Sequence, residues 1–208
     1  MSNSGSPARD SYHHGDLKQA LLRETARILR EEGEESLSLR RLAAELGVSR
    51  TAPYNHFENK ERLLQAVAEE GFERFRAAMA EARQRSRDLD GRAATLESVK
   101  AYVGFARDHK EYYDLMYGSM SWRGDGRDGS LAKEARATLR GDIERLERWQ
   151  SRGGIDPGAD VVRYAQLYWG TLHGISRLLL DGVYTGDDSV SRLCESAADM
   201  LWQQVAPR

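Results

Sequence analysis

The stretch LSLRRLAAELGVSRTAPYNHFENK, residues 37–60, decides the fold of the N-terminal part of this chain. Its spacing predicts two short helices joined by a tight turn. Gly47 lies at the turn, because glycine adopts the left-handed conformation at little steric cost. Ala43, four residues earlier, supplies the small side chain that is needed where the two helices touch. The stretch therefore predicts a helix-turn-helix motif.

The second helix of this motif is predicted to begin at Arg50, with the hydroxyl of Ser49 capping its first turn. Pro53 falls near the fourth position of that helix, where its missing N–H removes at most one early hydrogen bond. The helix can therefore form, and its polar side chains are displayed where they can reach a groove of DNA.

A family resemblance rests on the run GVSRTAPYNHFENKERLL, residues 47–64, which resembles the end of the DNA-binding domain of TetR-type bacterial repressors. The run shares the glycine turn, the serine cap, the tyrosine, the His-Phe pair and the Lys-Glu pair that opens the next helix. It departs from the family at Pro53, where leucine is more common, and this affects the expected direction of Arg50 and Thr51.

A second run, YWGTLHG at residues 168–174, resembles the Trp-His-Gly segment of one TetR subgroup, the WHG subgroup. The two resemblances imply an all-α protein with a three-helix DNA-binding domain and a larger helical domain for ligand binding and dimerisation. They also imply a double-stranded DNA operator, a homodimer and a small organic effector as partners.

Within the motif, Arg40 and Arg50 are predicted to read bases, because a guanidinium offers two donors to O6 and N7 of guanine. Phosphate contacts are assigned to Ser38, Tyr54, His56 and Lys60, although His56 has a structural role as its alternative. The residues expected to contact DNA are Ser38, Arg40, Ser49, Arg50, Thr51, Tyr54, Asn55, His56 and Lys60.

Composition sets limits on the class of protein. The chain has 208 residues and a formal net charge of −2, which argues against indiscriminate coating of nucleic acid. Residues 36–60 hold four basic and two acidic side chains, so one motif neutralises few phosphates and two copies are expected on DNA. A single cysteine, Cys194, and the absence of a signal peptide or spanning helix predict a cytoplasmic protein without membrane attachment.

The chain is divided into three segments by its composition and helical periodicity. Residues 1–11 are expected to be a disordered tail, 12–58 the DNA-binding domain, and 59–208 the ligand-binding and dimerisation domain. The segment Tyr12-His13-His14 is either a lead-in to the first helix or an arm that touches DNA. A metal site is not expected there or elsewhere, since the histidines lack a partner cluster.

The helices are predicted from apolar periodicity and stop signals. The first ends near Gly33, and a long helix from Asn59 to about Arg87 connects the two domains. Another starts at Ala93, a shorter one holds Tyr112 to Tyr117, and the next runs from 131 to 149. Asp156-Pro157 is predicted to start the following helix, and Asp187 the last one. No β alternation occurs, which predicts an all-α fold.

Aromatic residues crowd the middle of the second domain, and buried tyrosine hydroxyls need polar partners that a ligand could supply. The loop at residues 118–129 is either a lid over a cavity or a surface loop. For His173, a core or interface position is the alternative to a ligand contact. The residues expected to bind a ligand are Tyr102, Phe105, Tyr113, Met116, Trp122, Trp149, Tyr168 and His173.

Dimerisation is expected through the last two helices, because two glycines four residues apart let another helix backbone approach closely. Close packing of the same glycines within one subunit is the alternative. The residues expected at the interface are Gly170, Gly174, Leu178, Leu193, Ala197 and Leu201.

No constellation of catalytic residues is evident, since the sequence has no Gly-rich phosphate loop, nucleophile elbow or zinc-type spacing. The chain is therefore not expected to be an enzyme or to need a cofactor. The sequence favours a sequence-specific DNA-binding regulator, a ligand-responsive repressor that binds a palindromic operator as a dimer. The alternative is a helical ligand-binding or interaction protein without operator binding.

Overall fold

The computed structural model describes residues 14–118 and 129–207. The described residues form eight α-helices and two short 3₁₀-helices with no strand, which confirms the all-α prediction. The α-helices are α1 (His14–Glu31), α2 (Leu39–Glu45), α3 (Lys60–Arg85), α4 (Gly91–Asp108), α5 (Lys110–Tyr117), α6 (Ser130–Ser151), α7 (Val161–Leu180) and α8 (Asp187–Gln203). The 3₁₀-helices span Glu34–Ser36 and Ala52–Asn55.

The chain forms two compact units, the first ending at Ala66 and the second beginning at Val67. In the first unit, α1 and α2 pack their apolar faces together with the start of α3. The residues buried there include Leu17, Leu21, Leu22, Ala26, Ile28, Leu37, Leu39, Leu42, Ala43, Phe57, Leu63 and Leu64. These positions follow the helical spacing seen in the sequence, so a three-helix core forms from local amphipathic patterns.

The turn of the motif has the predicted conformation. Gly47 has a φ of 64°, and α1 likewise ends before Gly33, whose φ is 82°. The N–H of Val48 donates to the carbonyl of Ala43 at 2.9 Å, which closes the turn after α2. Ala43 is buried, as its place between the helices requires.

The second helix of the motif differs from the prediction. It is a four-residue 3₁₀-helix that begins at Ala52, and no side chain caps it. The hydroxyl of Ser49 lies 3.2 Å from that of Thr51, while the Ser49 carbonyl accepts from the N–H of Ala52 at 3.0 Å. Pro53 has no N–H and disfavours a helical residue before it, so short i to i+3 bonds replace an α-helix here.

The long helix α3 begins as predicted. The side chain of Asn59 accepts a hydrogen bond from the N–H of Arg62 at 2.9 Å, and α3 then continues for 26 residues to Arg85. At about 1.5 Å per residue its length is about 39 Å. Its later turns supply Phe72, Phe75, Met79 and Ala82 to the core of the second unit.

The second unit is built around α4, which packs against α7 and α8. Aromatic rings meet edge to face in its centre, where Phe75 lies 5.0 Å from Tyr102 and 5.3 Å from Phe105 between ring centroids. Such pairs contribute about 0.5–1.5 kcal/mol beyond area burial. This aromatic core positions the helices that line the cavity described below.

The predicted start of α7 at Asp156-Pro157 is wrong. The helix begins at Val161, where the carboxylate of Asp160 accepts from the N–H of Arg163 at 2.9 Å. The Asp156 carboxylate instead accepts from the N–H of Gly158 at 2.7 Å and forms a turn. The amide of Gln150 donates to the backbone carbonyls of residues 156 and 159, which holds this turn in place.

The remaining boundaries lie close to the predictions. α4 begins two residues before Ala93, and α8 begins at Asp187 after Gly186. The expected tail at 1–11, the segment Tyr12-His13 and the loop carrying Trp122 lie outside the described residues. Within the described ranges, no helix combines the length and the apolar character that crossing a membrane requires.

Two glycine substitutions should have opposite effects on stability. Gly47→Ala forces a left-handed residue with a Cβ and should lower the free energy of unfolding by about 1–2 kcal/mol. The new Cβ of Gly104→Ala, within α4, meets no described atom within 4 Å beyond the backbone of its own helix, and the variant should raise that free energy by about 0.5–1 kcal/mol. Urea unfolding followed by circular dichroism measures both, and a stabilised Gly47→Ala would contradict the turn geometry.

Candidate DNA interface and ligand cavity

The helix-turn-helix presents a polar surface formed by the start of α2, the turn and the 3₁₀-helix. Tyr54 is 47% exposed. Other side chains of the set expected to contact DNA are also exposed, namely Ser38, Arg40, Ser49, Arg50, Thr51 and Asn55. His56 and Lys60 are half-buried.

Two neighbouring arginines of α2 have different surroundings. Arg41 donates to both carboxylate oxygens of Glu32, at 2.6 and 2.8 Å, and lies 3.3 Å from Glu45. The hydrogen bonds to Glu32 raise the pKa of Arg41 and lower the pKa of Glu32. The side chain of Arg40, in contrast, has no hydrogen bond or ion pair within the described residues. Arg40 is therefore the one whose donors are available to DNA.

Some expected phosphate contacts already have protein partners. The hydroxyl of Ser38 accepts from the N–H of Arg41 at 3.2 Å and caps α2. The ammonium group of Lys60 donates to the carbonyl of Glu34 at 2.7 Å and lies 3.6 Å from its carboxylate. Ser38 and Lys60 therefore already make hydrogen bonds within the motif. A DNA phosphate that contacts them would compete with these bonds.

Acidic residues at and just after the end of α1 form ion pairs with basic side chains. Glu31 and Glu24 bind Arg27 at 2.5 and 2.6 Å, Glu32 binds Arg41, and Lys60 lies beside the third acidic residue, Glu34. The spacing of Arg27 and Glu31 was visible in the sequence as i and i+4. The Glu32 to Arg41 pair joins residues nine apart across a loop, and only the fold brings these together.

A cavity of about 380 Å³ lies in the second unit, between α3, α4, α6 and α7. Its volume falls within the usual range for small-molecule sites. The lining residues are Met79, Arg83, Ser86, Arg87, Leu89, Ala94, Thr95, Ser98, Asp142, Arg145, Leu146, Arg148, Trp149, Arg152, Tyr164, Ala165, Tyr168 and Trp169. Of the residues expected to bind a ligand, Trp149 and Tyr168 are among them.

The polar groups of the cavity are arranged by hydrogen bonds between helices. The hydroxyl of Tyr168 donates to that of Ser98 at 2.9 Å, and the indole N–H of Trp169 donates to Asp142 at 2.8 Å. Arg145 also donates to Asp142, and to the carbonyl of Gly141 at 2.9 Å. Burial raises the pKa of Tyr168 above its ordinary value, so its hydroxyl stays protonated.

Most of the other expected ligand residues belong to the aromatic core. Tyr102, Tyr113 and Met116 are fully buried and do not line the cavity, and the buried Phe105 packs against Phe75. The tyrosine hydroxyls have protein partners, since Tyr102 and Tyr113 lie 3.4 Å apart between their oxygens. For Tyr102 and Tyr113, the polar partners that we expected from a ligand are thus supplied by the chain itself.

His173 completes this core network. The hydroxyl of Tyr113 lies 2.8 Å from Nδ1 of His173. Burial raises the pKa of Tyr113 to about 12, so at neutral pH the hydroxyl can donate to an unprotonated Nδ1. Burial, and then the charge of Arg177, lower the pKa of His173. The histidine therefore favours its neutral form and a structural hydrogen bond.

The glycines of α7 are not packed against another helix of the subunit. Apart from the backbone of α7 itself, a Cβ built on Gly170 or Gly174 meets no atom within 4 Å in the part of the chain that the structure describes. Packing within one subunit, the alternative interpretation, therefore does not explain them. Large apolar side chains near these glycines are exposed, with Leu167 at 47% and Leu178 at 38%.

Two residues expected at the dimer interface require a correction. Ala197 and Leu201 of α8 are 5% and 0% exposed, because this face of α8 packs against α4 within the same subunit. They are unavailable to a second copy. Leu193 is half-buried, and Met200, which was not in the expected set, is 46% exposed.

Sequence reasoning missed the charged residues of the cavity. Arg83 follows the buried Met79 by four residues, and Asp142 and Arg145 precede Trp149 by seven and four. These spacings place charged groups on the inward side of α3 and α6, a signal that was present in the sequence. Among residues 14–118 and 129–207, no cluster of three or more metal-ligating side chains occurs.

Comparisons with known proteins agree with this geometry. The family model described as bacterial regulatory proteins, tetR family, matches residues 21–67, and that described as tetracyclin repressor-like, C-terminal domain, matches residues 95–201. The class C tetracycline repressor protein of Escherichia coli is 46% identical over 52 residues, which are 25% of this chain. The match spans 24% of that curated relative, about a quarter of its length.

Solved structures resemble the chain over nearly its whole length. A protein of unknown function from Rhodococcus sp. RHA1 is 35% identical, with 95% of this chain and 100% of that chain covered and a TM-score of 0.80. A putative TetR-family transcriptional regulator from Rhodococcus sp. is 20% identical, with 90% and 98% covered and a TM-score of 0.71. The fatty acid degradation regulator FadR of Bacillus halodurans is 15% identical, with 96% of each chain covered and a TM-score of 0.65. The latter two similarities concern the fold alone.

The lowered pKa of His173 predicts that the free energy of unfolding depends on pH. The unfolded chain takes up a proton near the ordinary pKa of 6.5, whereas the folded chain does so at lower pH. Stability should therefore fall as the pH drops from about 7.5 to about 5, and His173→Gln should make this decrease smaller. Urea unfolding at several pH values measures the difference. An equally steep decrease in the variant would contradict the assignment.

Proposed function

Because the chain belongs to the TetR family of DNA-binding bacterial regulators, we propose that it is a ligand-responsive repressor that binds a palindromic operator as a homodimer. The observation that carries this proposal is the exposed polar surface of the helix-turn-helix, on which Arg40 and Arg50 have no protein partner within the described residues. Operator DNA supplies acceptors for both guanidinium groups. In this proposal the protein acts in the cytoplasm, without enzymatic activity or a cofactor.

The proposal assigns DNA binding to residues 12–58 and ligand binding and dimerisation to residues 59–208. We place the chain in the WHG subgroup of the family on the run YWGTLHG, residues 168–174, which lies in α7. Helix α7 lines part of the cavity and also carries Gly170 and Gly174. The subgroup segment would therefore contact both the ligand and the second subunit.

For DNA contacts we propose Arg40 and Arg50 as base readers, with Thr51, Tyr54 and Asn55 beside them. The 3₁₀-helix has only four residues, so one motif offers few base contacts. A two-fold dimer doubles them and addresses two half-sites about one helical turn apart. Ser38, Tyr54, His56 and Lys60 would hold phosphates, with Ser49 beside them.

For dimerisation we propose the outward face of α7, where Leu167, Gly170, Gly174 and Leu178 follow each other at intervals of three or four residues. This spacing places them on one face of the helix. The glycines allow close approach of a second α7, and the leucines provide apolar area that is exposed in one subunit. Leu193 of α8 would border this contact.

For the effector we propose the cavity, with Trp149 and Tyr168 as contacting residues. Tyr102 lies behind Tyr168, with 6.5 Å between ring centroids, and Tyr102 would support that wall together with Phe105, Tyr113, Met116 and His173. An effector changes operator binding only by its differential affinity for the two states. A hundredfold preference, about 2.7 kcal/mol, weakens operator binding by the same factor.

Selection of binding sites from a pool of random duplexes tests operator binding and should yield an inverted repeat. On the selected site, Arg40→Ala and Arg50→Ala should each weaken binding about 10- to 100-fold, because each removes a bidentate base contact. Arg41→Ala is the matched control, since Arg41 is already paired with Glu32, and it should weaken binding far less. Gel-shift titration measures all three variants. Equal losses for Arg40→Ala and Arg41→Ala would contradict the assignment.

Dimerisation is tested at the glycines of α7. Beyond the backbone of α7 itself, a Cβ at either position meets none of the described residues within 4 Å, so the Gly170→Leu and Gly174→Leu subunits should fold while the two helices are forced apart. We expect sedimentation to show dissociation to monomers and operator binding to weaken with it. Gly104→Leu in α4 is the control and should remain dimeric. A stable dimer in both α7 variants would show that the subunits pair elsewhere.

A further inference from the structure

The cavity of the second unit carries an excess of positive charge. Five arginines line it, namely Arg83, Arg87, Arg145, Arg148 and Arg152, and Asp142 is the one carboxylate among its lining residues. Arg87, Arg148 and Arg152 are exposed, so solvent screens their charges. Arg83 and Arg145 are half-buried, and their charges act most strongly on a molecule inside the cavity.

Arg83 is the unusual member of this set. Its side chain has no hydrogen bond or ion pair within the described residues, although it is half-buried on α3. Burial lowers the pKa of Arg83, and the nearby charge of Arg145 lowers it further. The guanidinium nevertheless stays charged at neutral pH. A partly desolvated cation beside a like charge is unfavourable until an anion compensates it.

Asp142 does not provide that compensation. Its carboxylate accepts the indole N–H of Trp169 at 2.8 Å and a hydrogen bond from Arg145. Its attraction for Arg83 is weaker than the repulsion from Arg145, since Arg145 has the larger effect on the pKa of Arg83. Asp142 thus orients Arg145, while the donors of Arg83 remain available to a molecule in the cavity.

The rest of the lining is mostly apolar or aromatic. It is contributed by Met79, Leu89, Ala94, Leu146, Trp149, Tyr164, Ala165, Tyr168 and Trp169. Burial raises the pKa of Tyr164 to about 12, so this phenol stays neutral and adds no negative charge. A ligand that suits the cavity therefore combines an apolar body with one negatively charged group.

We propose that the cavity binds an amphipathic organic acid whose carboxylate pairs with Arg83 and is also attracted by Arg145. This inference rests on the proposed function, because it specifies the chemical class of the effector at the same site. The planar fork of Arg83 matches a carboxylate with two parallel hydrogen bonds, and the aromatic lining covers the body of the acid. A neutral or cationic analogue of equal shape leaves Arg83 unpaired.

Calorimetric titration of the full-length protein with matched probes tests this inference. Naphthalene-2-carboxylate is compared with naphthalene-2-carboxamide, and octanoate with octanamide, so that each pair keeps its apolar body and shape while a neutral amide replaces the charged carboxylate. We expect each acid to bind about 10- to 100-fold more tightly than its amide at low salt. Arg83→Met should remove this difference, whereas Arg83→Lys should retain part of it because the charge remains.

Arg85→Met is the matched control, since Arg85 lies on the same helix and is exposed outside the cavity lining. It should leave the preference for the acids unchanged. Equal affinity for acid and amide would overturn the inference while keeping the cavity as a ligand site. Equal effects of Arg83→Met and Arg85→Met would also overturn it, because the preference would then come from general surface charge.

Two further outcomes separate this inference from the proposed function. If neither scaffold binds at millimolar concentration, the cavity is not a site for such ligands, and both the inference and the effector assignment fail. If the acids bind with the expected preference but their affinity is the same with and without operator DNA, the inference holds. In that case the effector role fails, because linkage requires operator and effector to weaken each other equally.

Discussion

Burial of one face of α3 along its whole length is the constraint on which the rest of the structure depends. Leu63 and Val67 are fully buried near its start, and Phe72 and Phe75 are buried further along. The same helix thus belongs to the core of the first unit and to that of the second. Met79 and Arg83, on its later turns, also line the cavity. Each unit therefore needs part of the same helix for its own core.

In both units, some arginines are paired with carboxylates of the chain and others are free to bind another molecule. Arg27 and Arg41 are held by glutamates in the first unit, and Arg145 is held by Asp142 in the second. Arg40 and Arg83 have no such partner within the described residues. The chain therefore uses one side-chain type for two purposes, and the neighbouring carboxylate decides which. A net charge of −2 conceals this division, since it sums over paired and unpaired groups alike.

Periodicity and local signals were enough to predict the all-α fold, the turn at Gly47 and the start of α3 after Asn59, because each depends on residues close in sequence. The start of α7 was mistaken because Asp156 and Asp160 carry equivalent capping signals, and the contacts of Gln150 decide between them. The ligand set could be predicted only in part, since aromatic content does not distinguish a solid core from a cavity wall. The charged residues of the cavity lie at helical spacing from buried residues of α3 and α6. A search for aromatic residues alone does not find them.

The outward position of Gly170 and Gly174 has a consequence for assembly. Ala197 and Leu201 are covered by their own chain, whereas Gly170 and Gly174 carry no Cβ that would meet the described residues beyond their own helix. The population of a dimer that forms through these glycines would depend on the subunit concentration. Below the dissociation constant, the amount of dimer grows with the square of the subunit concentration. Occupancy of an operator would then respond steeply to the amount of protein in the cell, independently of any effector.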